Sequence, residues 1–264
     1  MKTAIIGGGV MGEAILSAAL AEGVLATEDV SVCEVVEARR KQLAECYGVA
    51  VGADAGDAMS GADLVILCVK PQDAKTVRGG LKADALLVSV MAGVRIGTLA
   101  RDLGHERIVR VMPNTPVAAR AGMSAWTATE AVSSGQRDLI RRLLGALGRE
   151  LYVADEQKID MATAVSGSGP AYVYLFIEAM VEGAVAIGLT RAQAEEMVLQ
   201  TVHGAAVYAR ESGKTAAELR AMVTSPAGTT AAALRELERG ALRATVGEAI
   251  RAAHERAIEL GNGR

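Results

Sequence analysis

Three glycines near the N-terminus are spaced as in loops that bind phosphate groups. Gly7, Gly9 and Gly12 fit the pattern Gly-x-Gly-x-x-Gly, after a short apolar run and before a helical pattern. In such loops the first glycine permits a tight turn, the second lets a pyrophosphate approach the backbone, and the third lets the helix pack close to the strand. N–H groups at the helix start then face the phosphates. The predicted dinucleotide-binding loop comprises Gly7, Gly8, Gly9, Val10, Met11 and Gly12.

An acidic residue, Glu34, ends the second predicted strand 22 residues beyond Gly12. An acid at that position typically bonds the adenosine ribose hydroxyls and disfavours a 2′-phosphate. Arg39 and Arg40 follow closely and could favour that phosphate instead, although such a pair in a helix is more often a solvated face. The cofactor is therefore expected to be NADPH or NADH, with a slight lean to NADH from Glu34.

Two further loops follow predicted strands, at the end where ligands bind in open α/β sheets. The first is Val69-Lys70-Pro71, which places a lysine at the carboxyl end of a strand. The second is Met112–Pro116, in which two prolines stiffen the backbone while Asn114 and Thr115 offer neutral hydrogen bonds. A rigid turn without a ligand is the alternative for this second loop. We assign Asn114 to the predicted cofactor site.

Two segments in the second half combine flexible backbone, hydroxyl groups and a helix start. Ser166–Pro170 precedes a long apolar helical run, and Thr224–Thr230 precedes a later helix. Such an arrangement can hold a small carboxylate without an arginine, because a helix N-terminus supplies N–H donors and a favourable dipole. Taken alone, each segment is more often an ordinary helix cap.

Short apolar runs alternate with helical patterns through the first part of the chain. Strands are predicted at Thr3–Ile6, Val30–Cys33, Leu64–Val69, Leu86–Val90 and Ile108–Val111, with further edge strands near Gly122–Thr127 and Leu151–Val153. Helices between them are predicted at Met11–Glu22, Glu37–Tyr47 and Ile96–Leu103. This alternation favours an α/β fold with a Rossmann-like, doubly wound parallel sheet.

From about Asp155 the strand signal disappears and only helices are predicted, at Pro170–Ile187 and from about Thr190, Thr215, Thr229 and Ala241. The expected domains are a dinucleotide-binding Rossmann-like domain at residues 1–154 and an all-α dimerisation and substrate domain at residues 155–264. The Pro170–Ile187 helix is apolar well beyond one face and needs more than one neighbour. A homodimer through the helical half is therefore expected, and a larger assembly of dimers is left open.

The composition restricts the partners and the compartment. A net charge of −3 and the lack of a basic run argue against nucleic acid. The histidines and cysteines have no zinc-like spacing, so no metal is expected, and three cysteines indicate reduced thiols in a cytoplasmic protein. Glycines interrupt the apolar N-terminus, and Glu178 and Glu182 interrupt Pro170–Leu189. Neither a signal peptide nor a membrane span is expected.

Five segments together resemble the pyrroline-5-carboxylate reductase family. They are Ile6–Gly12, Val69–Pro71, Val111–Pro116, Ser166–Tyr172 and Ser225–Thr230, in order along essentially the whole chain. The sequences MPNTP, SGSGPAY and SPAGTT within them are highly specific in combination. The resemblance implies an NAD(P)H-dependent oxidoreductase that reduces the cyclic imine 1-pyrroline-5-carboxylate to L-proline, the last step of proline biosynthesis. It also implies a helical domain that interleaves between two subunits, with the active site near that interface.

The same resemblance assigns residues to the site. Gly9, Met11 and Val69-Lys70-Pro71 fall at cofactor-contacting positions, and the Ser225–Thr230 loop falls at the substrate carboxylate and ring nitrogen. The substrate-binding candidates are Ser225, Gly228, Thr229 and Thr230. Thr230 is the catalytic candidate, because its hydroxyl could donate to the ring nitrogen as hydride arrives, and a helix cap is its alternative role.

This chain departs from the family pattern after the second strand. Many members carry small hydroxyl residues there that receive a 2′-phosphate, whereas this chain has Glu34-Val35-Val36. A firm assignment of NADPH does not follow from the resemblance.

Two rival functions stay open at this point. Dehydrogenases of 3-hydroxy acids share the two-part architecture but carry a catalytic lysine four residues after the second glycine of a comparable Gly-x-Gly, where this chain has Val173. A non-catalytic, dinucleotide-sensing protein would need no substrate loop, whereas Ser225–Thr230 is intact.

Overall fold

The structure, a computed structural model, describes residues 1–261. It contains two compact units: residues 1–168 with the C-terminal segment from Ala252 form one, and Gly169–Arg251 forms the other. Within the described residues, every helix is too short or too polar to span a bilayer.

An eight-stranded sheet forms the centre of the first unit. Its strands are β1 (Thr3–Ile6), β2 (Val30–Cys33), β3 (Ala50–Gly52), β4 (Leu64–Leu67), β5 (Leu86–Ser89), β6 (Ile108–Met112), β7 (Gly122–Ala128) and β8 (Gly148–Tyr152). They lie in the order β3-β2-β1-β4-β5-β6-β7-β8, and β1 to β6 are mutually parallel. The order reverses between β1 and β4, so their carboxyl ends meet at the switch point where such sheets bind ligands.

The last two strands depart from the all-parallel sheet that the alternating pattern predicts. β7 is antiparallel to β6, and β8 is parallel to β7. The connection from β6 to β7 holds only a 3₁₀ turn at Thr115–Ala119, so no crossover helix returns the chain to the other end of the sheet. The connection from β7 to β8 contains a full helix, α5 (Ser134–Ala146), which allows a parallel return.

Helices flank this sheet, and two of them end at glycines. Those of the first unit are α1 (Val10–Ala21), α2 (Glu37–Tyr47), α3 (Ala55–Met59), α4 (Ile96–Leu103), α5 and α6 (Gln157–Ala162). α2 and α4 end at Gly48 and Gly104, which adopt the left-handed φ values of 67° and 61°. β3, α3 and α5 have no counterpart among the elements predicted from the sequence. β3 has three residues and α3 five, too few for a periodic apolar pattern to develop.

The two faces of the sheet bury alternate residues of the same strands. Ile5 and Ile66 belong to the core that includes α1 and α5, and Ile6 and Leu67 belong to the opposite core, which includes residues of α3 and α4. Successive side chains of a strand point to opposite faces. The unbroken apolar runs of β1 and β4 are therefore buried on both sides, as in other helix-covered parallel sheets.

The second unit is helical. Its elements are α7 (Gly169–Ala186), α8 (Arg191–Glu211), α9 (Ala216–Met222), α10 (Thr229–Arg239) and the part of α11 (Leu242–Gly261) up to Arg251. Thr190 and Thr215 cap α8 and α9 through the predicted capping boxes. α7 and α8 pack around a small cluster of Val181, Ala194 and Val198. Among the described residues of α7 only Val181 is buried, so most of this apolar helix lies outside that core.

Candidate functional site

The Gly7–Gly12 loop has the conformation that its spacing predicts. Gly7 has φ 105°, and a Cβ there would lie 2.8 Å from the carbonyl carbon of Cys68. A Cβ on Gly12 would lie 2.0 Å from the Gly7 carbonyl oxygen. By contrast, no heavy atom lies within 4 Å of a Cβ placed on Gly9. The first and third glycines therefore allow close packing, and the second leaves the backbone open to a ligand.

The N-terminus of α1 offers N–H groups beside Gly9. Helical bonding begins at Glu13, whose N–H donates to the Gly9 carbonyl at 2.9 Å. The N–H groups of Val10, Met11 and Gly12 have no partner among the described residues. Together with the helix dipole, these three donors fit the pyrophosphate of a dinucleotide.

Glu34 is fastened to the glycine loop. Its Oε2 accepts a hydrogen bond from the Gly8 N–H at 3.0 Å, and its Oε1 accepts from the Val36 N–H at 2.9 Å. A Cβ on Gly8 would lie only 3.2 Å from the Cβ of Glu34, so glycine lets the two approach. The carboxylate is thus held at the end of β2, where an acid can accept from ribose hydroxyls.

Arg39 and Arg40 are both hydrogen-bonded to this part of the chain. Arg39 Nε donates to the Gly8 carbonyl at 2.8 Å, and its Nη2 forms an ion pair with Glu13. Arg40 Nη1 donates to two main-chain carbonyls of the turn after β2, at 2.7 and 2.9 Å. The interpretation of the two arginines as a solvated helix face is therefore wrong, because both are half-buried and engaged.

The Val69-Lys70-Pro71 turn lies against the glycine loop at the switch point. The Val69 nitrogen is 2.9 Å from the position that a Cβ on Gly7 would take. Pro71 begins a 3₁₀ turn at Pro71–Thr76. Lys70 is exposed and forms no ion pair within residues 1–261. An unpaired cation in a loop that touches the phosphate-binding loop fits an anionic ligand.

The Asn114 side chain connects its own loop to β7 and to the segment that contains Ser166. Its Nδ2 donates to the Ser166 carbonyl at 3.0 Å, and its Oδ1 accepts from the Met123 N–H at 2.9 Å. Ser166 lies in a π-helical segment, Thr163–Gly167, a geometry that is rare and frequent at functional sites. These bonds give Asn114 a structural role in a rigid turn. The second amide N–H of Asn114 has no partner in the described part of the chain.

A buried ion-pair network lies on β6, just before the Met112–Pro116 loop. Arg110 is 1% exposed, and its Nη2 and Nη1 donate to Asp160 at 2.7 Å and to Glu156 at 3.0 Å. Glu156 also accepts from the Ile96 N–H at 2.8 Å. The network fixes β6 to the start of α6. In the sequence this network is marked only by a lone arginine inside an apolar strand. The two acidic partners of Arg110 are 50 and 46 residues away.

The Ser225–Thr230 loop belongs to the second unit and leads into α10. Gly228 is the N-cap, and its N–H donates to the Ser225 carbonyl at 3.1 Å. A Cβ on Gly228 would lie 2.3 Å from the Ser225 hydroxyl oxygen, so a larger residue there would displace the Ser225 side chain. Helical bonding begins at Ala232, whose N–H donates to the Gly228 carbonyl at 3.1 Å.

Thr229 and Thr230 occupy the first two positions of α10 without capping it. Neither hydroxyl forms a hydrogen bond within residues 1–261, and the N–H groups of Thr229, Thr230 and Ala231 have no partner there. Thr230 is half-buried and Thr229 is exposed. The alternative in which Thr230 caps the helix is not supported, because the cap position is Gly228. Three N–H donors and two hydroxyls are thus gathered at one helix start.

The Cys68 thiol lies beside the glycine loop, where burial favours its protonated form. A Cβ on Gly12 would be 3.4 Å from the Cβ of Cys68, and burial of the thiol raises the pKa of Cys68 to about 12. Across residues 1–261, no three His, Cys, Asp or Glu side chains are grouped to hold a metal ion. As far as residues 1–261 show, the groups that these loops offer to a ligand include N–H donors, hydroxyls, the Asn114 amide and the Lys70 ammonium.

Two family models match the chain. The model described as pyrroline-5-carboxylate reductase dimerisation matches residues 156–260. The model described as NADP oxidoreductase coenzyme F420-dependent matches residues 2–93.

Curated relatives and solved structures match over nearly the full length. A pyrroline-5-carboxylate reductase from Synechocystis sp. is 40% identical over 264 residues, covering 99% of this chain and 98% of the relative. A pyrroline-5-carboxylate reductase structure from Coxiella burnetii is 36% identical with a TM-score of 0.88, covering 98% of both chains. The Plasmodium falciparum pyrroline carboxylate reductase structure with NADP bound is 29% identical with a TM-score of 0.90, covering 99% of this chain and 98% of that one.

Proposed function

The chain belongs to the pyrroline-5-carboxylate reductase family, and we propose that two of its loops divide the reaction between them. The protein is an NAD(P)H-dependent oxidoreductase of proline biosynthesis, which reduces 1-pyrroline-5-carboxylate to L-proline. The Gly7–Gly12 loop holds the cofactor, and the Ser225–Thr230 loop holds the substrate. We assign these roles to a dinucleotide-binding domain at residues 1–154 and a dimerisation and substrate domain at residues 155–264. The compact units are divided differently, because residues 155–168 and the segment from Ala252 pack with the first unit.

The cofactor supplies a hydride from its nicotinamide ring, and the protein's task is to bind and orient it. The open backbone at Gly9 and the free N–H groups of Val10, Met11 and Gly12 receive the pyrophosphate. Lys70 adds positive charge beside them, flanked by Val69 and Pro71, and Asn114 offers its remaining amide N–H.

Glu34 favours NADH over NADPH in this proposal. Its carboxylate is pinned at the end of β2 by the N–H groups of Gly8 and Val36, so it cannot swing away from the ribose position without losing two hydrogen bonds. A fixed negative charge there repels a 2′-phosphate. The NADP found in the Plasmodium falciparum relative supports the use of NAD(P)H in general, and Glu34 carries the preference within that class.

The observation that carries the substrate assignment is the N-terminus of α10. Three N–H groups and the hydroxyls of Thr229 and Thr230 are free of partners among the described residues, in a turn shaped by Gly228 and Ser225. The N–H groups hold the substrate carboxylate, aided by the helix dipole. The ring nitrogen takes a proton from solvent before hydride reaches the imine carbon, and the half-buried Thr230 hydroxyl hydrogen-bonds this nitrogen. The hydroxyl donates to the lone pair of the neutral imine and accepts from the N–H of the protonated imine.

This chemistry needs no strong acid, base or nucleophile from the protein. A protonated imine is already a good hydride acceptor. Most of the rate acceleration therefore comes from holding the nicotinamide C4 close to the imine carbon and excluding water. Alcohol oxidation would need a general base. The position where 3-hydroxy acid dehydrogenases carry a lysine is Val173, which lies on α7. The imine reaction therefore fits these residues better.

The helical half is proposed to form a homodimer, and a cytoplasmic location is proposed for the enzyme. α7 leaves the side chains of Tyr174, Leu175 and Phe176 exposed, at 54%, 67% and 43%. A helix this apolar is stabilised when a second copy covers it. Cys33, Cys46 and Cys68 are all free thiols, which suits a reducing compartment.

Isotope transfer tests the proposal. Purified protein is given NADH or NADPH with deuterium at both C4 positions of the nicotinamide, together with 1-pyrroline-5-carboxylate. We expect proline that carries deuterium at the ring carbon that was the imine carbon. Proline without deuterium, or no proline with either cofactor, would contradict the proposed reaction.

A further inference from the structure

Glu13 holds Arg39 against the glycine loop. Arg39 Nη2 forms an ion pair with Glu13 Oε2, while Arg39 Nε donates to the Gly8 carbonyl at 2.8 Å. Tyr47 donates to the other carboxylate oxygen of Glu13 at 3.1 Å. Both ionic side chains are mostly buried, with 21% and 26% of their surface exposed. Solvent therefore screens this ion pair only in part.

Gly8, which binds Arg39, also binds Glu34. Gly8 donates its N–H to Glu34 and accepts from Arg39 at its carbonyl. The Arg39 guanidinium and the Glu34 carboxylate are thus hydrogen-bonded to the same residue, Gly8. A guanidinium near that position is what accommodates a 2′-phosphate in dinucleotide sites that select NADP.

Arg39 and Arg40 differ in the charge of their partners. Arg40 donates to two neutral carbonyls, so its positive charge is not cancelled locally. Arg39 is paired with the Glu13 carboxylate, and its Nη1 also donates to the side-chain oxygen of Gln42 at 2.7 Å. Arg39 therefore offers little net charge to an incoming phosphate, although it lies beside the loop.

We propose that Glu13 is a specificity-determining residue for the cofactor, which acts by neutralising Arg39 and fixing it on the Gly8 carbonyl. Glu34 repels the 2′-phosphate directly, and Glu13 neutralises one of the two cations beside the glycine loop that could attract it. The two carboxylates, on α1 and at the end of β2, then work in the same direction. This inference rests on the proposed binding of the dinucleotide at Gly7–Gly12.

Glu13→Gln is the appropriate variant because it removes the charge and keeps the shape. The Gln side-chain oxygen can still accept from Arg39, and its NH₂ group can donate to the Tyr47 hydroxyl, which can act as an acceptor. Glu22→Gln is the matched control. Glu22 lies at the other end of α1, about 13 Å along the helix, and its carboxylate is also ion-paired, with Arg120 at 2.8 Å.

Calorimetric titration with NAD⁺ and NADP⁺, without substrate, gives the ratio of the two Kd values for each variant. In Glu13→Gln we expect the preference to shift towards NADP⁺ by about fivefold or more, the size expected when one unit charge near a partly buried phosphate site is removed. Glu22→Gln should leave the ratio within about twofold of the wild type. In an Arg39→Gln background, Glu13→Gln should no longer shift the ratio.

Each alternative result has a definite meaning. An unchanged ratio in Glu13→Gln, with a wild type that binds NAD⁺, overturns the role of Glu13 and leaves the cofactor site intact. An equal shift in Glu22→Gln, or a full shift that persists in the Arg39→Gln background, shows a general charge effect and also overturns it. A wild type that binds neither dinucleotide overturns both this role and the proposed cofactor site.

Discussion

The Glu34 carboxylate and the Gly8 N–H are joined by a hydrogen bond of 3.0 Å. The acidic residue that follows β2 therefore accepts a hydrogen bond from a main-chain N–H of the Gly7–Gly12 loop. This contact fixes both the position of the negative charge and the conformation of the turn.

The first prediction is that Glu34→Ser shifts the cofactor preference towards NADPH. Removing a carboxylate that faces a 2′-phosphate should raise the ratio of kcat/KM for NADPH over NADH by about tenfold or more, because close like charges cost more than 1 kcal/mol. Steady-state kinetics with both cofactors measures this ratio. Glu37→Ser is the control, because Glu37 is exposed and paired with Lys41 on the surface of α2. A wild type that already favours NADPH strongly would show that Glu34 does not set the preference.

The second prediction is that Thr230→Ala lowers kcat/KM by about tenfold or more, which corresponds to about 1.4 kcal/mol of transition-state stabilisation. Cofactor affinity should not change. The melting temperature should also hold, because the Thr230 hydroxyl forms no cap in the described structure. Thr229→Ala, one position earlier on the same helix, should lose less activity. Full activity in Thr230→Ala together with a lower melting temperature would assign Thr230 a structural role only.

The third prediction concerns association. The wild type should be at least a homodimer by light scattering at micromolar concentration, and Leu175→Glu should shift it towards monomer. Leu175 is 67% exposed on α7, and a carboxylate in an apolar interface is strongly disfavoured. Lys41→Glu, on the surface of the first unit, is the control and should not dissociate the protein. A monomeric wild type would refute the proposed assembly.

The fourth prediction is that Asp160→Asn destabilises the protein by about 3 kcal/mol, because the fully buried Arg110 loses a charged partner. The urea midpoint at one fixed protein concentration measures the effect, since dimerisation adds to apparent stability. Asp138→Asn breaks an exposed pair with Arg141 and should cost about 0.5 kcal/mol or less. Equal midpoints for the two variants would show that the Arg110 network is not important for stability.

Local chemistry made part of this site predictable from the sequence. The glycine loop could be predicted because only glycine adopts the φ of 105° found at Gly7 and tolerates the close approach at Gly12. The capping boxes at Thr190 and Thr215 are likewise encoded within four residues. Family membership was predicted correctly, because its motifs are contiguous segments.

Contacts between distant residues could not be predicted in the same way. Glu13 meets Arg39 across 26 residues and Arg110 meets Asp160 across 50, and no local pattern specifies either pairing. The reversed direction of β7 depends on a connection that lacks a helix, although the apolar alternation resembles that of the other strands. The sequence could not show whether Thr230 caps α10, because the exact first residue of a helix depends on the local backbone. In the structure Gly228 is the cap residue.

Steady-state turnover tests the central claim most directly. Purified protein is mixed with 1-pyrroline-5-carboxylate and either NADH or NADPH in the presence of a chelator, and cofactor oxidation and proline formation are followed together. We predict that both proceed in equal amounts, with the higher kcat/KM for NADH. No turnover with either cofactor, by protein shown to bind one of them, would contradict the assignment.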